Sequence, residues 1–155
     1  MTHARTRFVS SIAIAVLFVL STGGISTAGE PEAKNIAKAN AEYIGIAKAV
    51  EYYFEAGRKG DSGYMKEVFL PEANIYFTRD GKVAGGPIQI LFDMVEGKPS
   101  PTEILYDIAA IDVAGTIATV RLEIADWAGN SYTDMFTLIK DGEDWKIASK
   151  VSRRP

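Results

Sequence analysis

The residues of this chain best placed to do chemistry sit close together: Asp126, Tyr132 and Asp134. Ala128-Gly129-Asn130 between two β-type runs reads as a three-residue hairpin connection, a common length where glycine is present. That register pairs Asp126 with Tyr132, Ile124 with Asp134, Leu122 with Phe136 and Val120 with Leu138. One face then carries Ala118, Val120, Leu122, Ile124, Phe136 and Leu138, and the other carries Arg121, Glu123, Thr133 and Thr137. A slip of one residue would mix the two sets, so the separation supports the register. Asp126, Tyr132 and Asp134 fall on the apolar face. A four-residue loop at 141–144 extends the pattern, placing Ile147 opposite Leu138 and Val151 opposite Asp134.

A carboxylate on an apolar face must be paired, hydrogen-bonded or neutral. Two of them in one apolar cup would push at least one pKa upward, as proton-transfer sites do. Asp134 or Asp126 is then a candidate base. Tyr132 or Tyr53 is a candidate donor to an enolate oxygen. Each carboxylate also has a structural reading. Asp126 lies one residue from a turn and can face solvent, and Asp134 can accept from a tyrosine hydroxyl or a helix-end N–H.

Other chemistries are excluded by composition. The chain has no cysteine, which removes thiol nucleophiles, disulfides and Cys-based zinc sites. Its single histidine is His3, at the extreme N-terminus. A net charge of −3 without a basic stripe argues against nucleic acid as a partner. Gly85-Gly86 lacks a phosphate-loop pattern, so no nucleotide cradle is expected. No metal and no cofactor are expected.

These residues need a scaffold, and the order of segments supplies one. Arg5 and Arg7 precede an apolar run over 12–20, and Ser26-Thr27-Ala28 offers small residues at a cleavage site. That is the order of a secretory signal peptide over 1–28, too short in its apolar run to span a bilayer. Its removal would take away His3 and leave a periplasmic or secreted chain with no membrane attachment. Residues 29–34 read as a polar leader, and 35–155 as one domain. Hydrophobic residues at 47% and charged residues at 24% suit such a packed domain.

Within that domain, Ile36, Tyr43, Ile46, Val50, Tyr53 and Gly57 recur at helical steps, predicting a helix over 35–58. A short second helix follows through Tyr64, Val68 and Phe69, capped by Asp61 or Ser62. A strand over 74–78 turns at Asp80-Gly81, and Gly85-Gly86-Pro87 opens a third helix over 88–95. Four β-type runs follow, 102–113, 116–127, 131–140 and 145–151. Helices first and an antiparallel meander second predict an α+β fold with helices on one sheet face. Most aromatic side chains, including Tyr43, Tyr53, Phe54, Tyr76, Phe92, Phe136 and Trp145, are expected in the core, with a few lining a pocket. Trp127 falls on the polar face, where with Met135, Thr133 and Thr137 it suggests a homodimer interface.

The order of elements, with Tyr53-Phe54-Glu55-Ala56-Gly57, Phe69-Leu70-Pro71-Glu72-Ala73, Tyr132-Thr133-Asp134-Met135-Phe136 and Leu138-Ile139-Lys140-Asp141-Gly142, resembles the ketosteroid isomerase / nuclear transport factor 2-like superfamily. Within it the chain is most similar to the lumazine-binding, SnoaL-like family. The resemblance implies a cone-shaped α+β fold, a pocket between helices and curved sheet, and dimerisation through the sheet's outer face. Leu70 stands where such proteins often carry histidine, and no histidine-dependent dehydratase chemistry is expected. The fold hosts several functions. Three readings stay open: a secreted pocket protein for a partly apolar or aromatic small molecule, a cofactor-free isomerase or polyketide-cyclase-like enzyme, and a protein-interaction module. The candidate ligand-binding residues are Tyr53, Asp126, Tyr132, Asp134 and Phe136. In the enzyme reading, Asp134 and Tyr132 are catalytic.

Overall fold

A computed structural model of the chain describes residues 29–154. The expected signal peptide lies outside the described residues. Helix α1 spans Gly29–Lys59 and α2 spans Gly63–Val68. Strands β1 (Phe69–Arg79) and β2 (Lys82–Pro87) form a hairpin, and α3 covers Gln89–Val95. Strands β3 (Leu105–Ala114), β4 (Ile117–Trp127), β5 (Asn130–Asp141) and β6 (Asp144–Arg153) form the meander. The six strands make one sheet in the order β2-β1-β6-β5-β4-β3. All neighbours are antiparallel except β1 and β6, so the sheet is mixed rather than wholly antiparallel. The fold is α+β, as the sequence predicts.

Helix α1 begins at Gly29, so the expected polar leader belongs to its first turns. Its buried stripe runs Ile46, Ala49, Val50, Tyr53, Phe54 and Ala56, at three- and four-residue steps. Ile36 and Tyr43, expected on the same stripe, are exposed. Tyr76 is likewise exposed, whereas Phe92, Phe136 and Trp145 are core. Residues 82–87 form a strand, not a helix entry. Gly85 and Gly86 adopt φ of +137° and +151°, where a side chain would be strained. A Cβ on Gly85 would also collide with the Ile75 carbonyl across the hairpin. The glycines therefore serve a tight β-pairing. The third helix starts two residues later, and buries Leu91, Phe92 and Val95.

The register departs from expectation in two places, each at a bulge. Between β4 and β5 the partners are Ile124 with Tyr132, Leu122 with Asp134, and Val120 with Phe136. This is two residues from the predicted pairing, and an even shift keeps the side chains over 118–124 and 132–138 on their predicted faces. Its cause is a two-residue turn, Ala128-Gly129, with φ of +52° and +82°, the pair of positive values that tight hairpins favour. The extra length is absorbed by a bulge between Ile124 and Trp127. That bulge turns Trp127 inward, correcting its predicted position on the outer face. Its ring packs 5.0 Å from Tyr53 and 5.8 Å from Phe54, and a Cβ on Gly57 would overlap it.

The second bulge lies in β6. Leu138 pairs with Ile147 as predicted, but Thr137 pairs with Ser149, leaving Ala148 as the extra residue. Beyond it the alternation inverts. Phe136 faces Lys150 and Asp134 faces Ser152, so Ser152 rather than Val151 stands opposite Asp134.

Candidate functional site

Helices α1 and α3 and the inner face of the sheet border an open cavity of about 460 Å³. Its apolar walls come from Ile75 and Phe77 of β1, and from Leu91, Met94 and Val95 of α3. Trp127 and Tyr132 flank it at one end. Its polar floor is Tyr53 of α1, Asp134 of β5, and Lys150 and Ser152 of β6.

Asp134 is fully buried and accepts from three donors. Lys150 Nζ lies 2.6 Å from Oδ1, Ser152 Oγ donates to the same oxygen at 2.6 Å, and the Tyr53 hydroxyl donates to Oδ2 at 2.9 Å. Lys150 is itself 3% exposed, with its ammonium 5.7 Å from the Tyr53 ring centroid. A buried charge needs such company, because an unpaired one costs several kcal/mol. Burial lowers the Lys150 pKa from its ordinary value, and the Asp134 charge only partly offsets that. The Tyr53 pKa is raised well above its ordinary value, first by burial and then by the adjacent Asp134 carboxylate. Tyr53 therefore remains a neutral donor across the working pH range. Phe136 and Phe69 pack against the Tyr53 ring at 5.1 and 6.3 Å and fix its position.

Tyr53, Tyr132 and Asp134, named from the sequence, meet at this cavity. Phe136 supports the floor from behind, 1% exposed and in the core. Asp126 lies elsewhere: its Oδ1 accepts from Gly129 N at 2.7 Å and Thr102 Oγ1 at 3.2 Å, closing the β4–β5 turn. The two aspartates therefore do not share a cup, and the expected carboxylate pair is replaced by a carboxylate–lysine pair. Asp134 takes up the structural alternative, accepting a tyrosine hydroxyl, while still bordering the cavity. Sequence reasoning missed Lys150 and Ser152. Strict alternation from Trp145 and Ile147 places both on the outer face, and only the Ala148 bulge turns them inward.

Residues 41–153 match the family described as "Putative lumazine-binding". The chain belongs to that family. Over 113 residues it is 33% identical to "Aldolase FrzH" of a Cladobotryum species, spanning 72% of this chain and 90% of that one. Among solved structures it is similar to an NTF2-like protein from Shewanella baltica, with 38% identity and a TM-score of 0.69 over 74% of this chain and 94% of the other. A ketosteroid isomerase-like protein from Erwinia carotovora atroseptica shares the fold, at 16% identity and a TM-score of 0.53 over 72% and 94% of the two chains. Recognition of the nuclear transport factor 2-like superfamily from the sequence is thus correct, down to the lumazine-binding family.

Proposed function

We propose that the protein binds a small, partly apolar or aromatic carbonyl compound, with the ligand's oxygen directed at the Lys150 ammonium. The observation that carries this reading is the buried Lys150–Asp134 pair at the floor of a cavity with apolar walls, which Arg79, Asp80 and Arg154 also border. Such a pair is weak support for stability, since a buried ion pair is often replaceable by apolar residues without loss. At the wall of a cavity it instead supplies an oriented cation in a low dielectric, which is what an oxygen acceptor needs. The cavity volume lies within the range typical of small-molecule sites. A relative named an aldolase favours a carbonyl ligand, and it also favours the catalytic version of this reading. In that version Asp134 exchanges the proton, and Tyr132 donates from the neighbouring wall. An open cavity argues against the reading as a protein-interaction module.

Trp127 lines the cavity, and the chain has only one other tryptophan, Trp145. Titration with an aromatic ketone and with a lumazine is expected to change Trp127 fluorescence saturably, whereas the matching aromatic alcohol binds more weakly. Trp127→Phe is expected to abolish the response. No saturable change, or a change retained in Trp127→Phe, overturns the assignment of the cavity.

We also propose export and dimerisation. Cleavage after Ala28 would give Gly29 as the mature N-terminus, and N-terminal sequencing of exported protein reads this directly. With Trp127 turned inward, support for a homodimer rests on other residues. The outer sheet face presents exposed Tyr76, Val151 and Met135 in one paired row, with exposed Ile117 opposite Ile139. Met135→Glu is expected to shift sedimentation from dimer to monomer, and a monomeric wild-type protein at micromolar concentration removes the proposal.

A further inference from the structure

The arrangement of the cavity floor goes beyond binding. We propose that Lys150 takes the carbonyl ligand covalently, its side-chain nitrogen condensing with an aldehyde or ketone to a protonated imine. This rests on the reading of the cavity as a carbonyl site.

Four observations support it. Lys150 and Asp134, whose charged groups meet at 2.6 Å, both line the cavity a ligand would fill. At that distance Asp134 Oδ1 is close enough to the Lys150 nitrogen to take one of its protons when a carbonyl arrives. Ser152 and Tyr53 hold the same carboxylate, which keeps Asp134 in place while the nitrogen changes partners. Burial also favours the neutral amine, the form that attacks carbonyl carbon.

The step balances without a co-reactant. A proton passes from the ammonium to Asp134, and the freed amine adds to the carbonyl carbon to give a carbinolamine. The nitrogen–carbon bond becomes the imine as the hydroxyl leaves as water, taking the proton back from Asp134. In sum an ammonium and a carbonyl become an iminium and water, with one positive charge on each side. The charge that Asp134 neutralises is therefore the same before and after condensation, and no buried charge is left unpaired along the way. An iminium acidifies the adjacent C–H bonds of the ligand, the prerequisite for isomerisation and for aldol-type carbon–carbon chemistry.

The test is reductive trapping of the full chain with 4-nitrobenzaldehyde and sodium cyanoborohydride, whose hydride reduces an imine to a secondary amine. Peptide mapping then locates the adduct. The peptide carrying Lys150 is expected to be labelled in preference to peptides carrying surface lysines, because burial favours its free amine and Asp134 stands ready to take the proton. Lys150→Arg keeps the cation for Asp134, and is expected to melt like wild type while losing the cavity adduct. Where that variant fails to fold, Asp134→Asn combined with Lys150→Met removes both charges and serves in its place. Labelling confined to surface lysines, with Trp127 still responding to the aldehyde, overturns the covalent step and leaves the carbonyl-binding reading standing. Absence of both labelling and the Trp127 response overturns that reading as well.

Discussion

Two lysine–carboxylate pairs in this molecule have the same contact distance and opposite surroundings. Lys150 and Asp134 meet at 2.6 Å with side chains 4% and 1% exposed. Lys140 and Glu42 also meet at 2.6 Å, with side chains 23% and 13% exposed. Glu42 accepts from Lys140 through both oxygens and from the Trp145 indole N–H at 2.9 Å, tying α1 to the β5–β6 end of the sheet. The Lys140 hydrogen bond leads the interactions that lower the Glu42 pKa, outweighing desolvation. At Lys150 the order is reversed: desolvation leads, and the partner's charge only partly compensates. A pair near solvent fastens two elements together. A pair away from solvent is costly to maintain, and its place at a cavity makes that cost intelligible as preparation for a ligand.

The largest expected effect comes from breaking the inner pair. Asp134→Ala strands a buried cation and is expected to lower unfolding free energy by about 3–5 kcal/mol in urea titrations. The double variant Asp134→Asn, Lys150→Met is expected to recover most of that loss, since neither charge remains. A double variant no more stable than Asp134→Ala would mean that the inner pair, like the outer one, serves chiefly to hold elements together.

Ser152→Ala sharpens the same side of the comparison. It removes one of the three donors to Asp134 and is expected to cost about 1.5–3 kcal/mol, the scale of a hydrogen bond to a charged group. The fold should survive, because Lys150 and Tyr53 still hold the carboxylate.

The smallest effect is expected at the outer pair. Glu42→Gln keeps the shape and some hydrogen bonding and loses only the charge, so its melting temperature should fall less than that of either inner variant. The pH dependence carries the sign. A carboxylate whose folded pKa is depressed contributes stability above its unfolded value of 4.5, and loses it as pH falls through the folded value. The gap in melting temperature between wild type and Glu42→Gln should therefore be full at neutral pH and close on acidification. A gap that stays constant down to low pH would remove Glu42 ionisation as its cause.

The sequence by itself determined the class of fold, the family and most of the core. Local patterns suffice there: the helical spacing of Ile46, Val50 and Tyr53, and the alternation along 118–124 and 134–138, record which face of each element avoids water. Asp134 and Tyr53 could be named for the same reason, since a polar group on an apolar stripe stands out against its neighbours. Alternation held even where the hairpin register was two residues off, because an even shift leaves the faces intact.

What only the tertiary structure decided is the content of the floor. One extra residue at Ala148 inverts the alternation of β6 and brings Lys150 and Ser152 to Asp134, and one near Ala125 turns Trp127 inward against Gly57. A bulge leaves little mark on residue type, because it depends on how a strand must bend to follow its neighbours across the sheet. The strand at 82–87 was hidden likewise, its glycines required by a backbone approach from β1 rather than by any local pattern. Side-chain polarity is written residue by residue, whereas the parity of a bent strand is a property of the whole sheet.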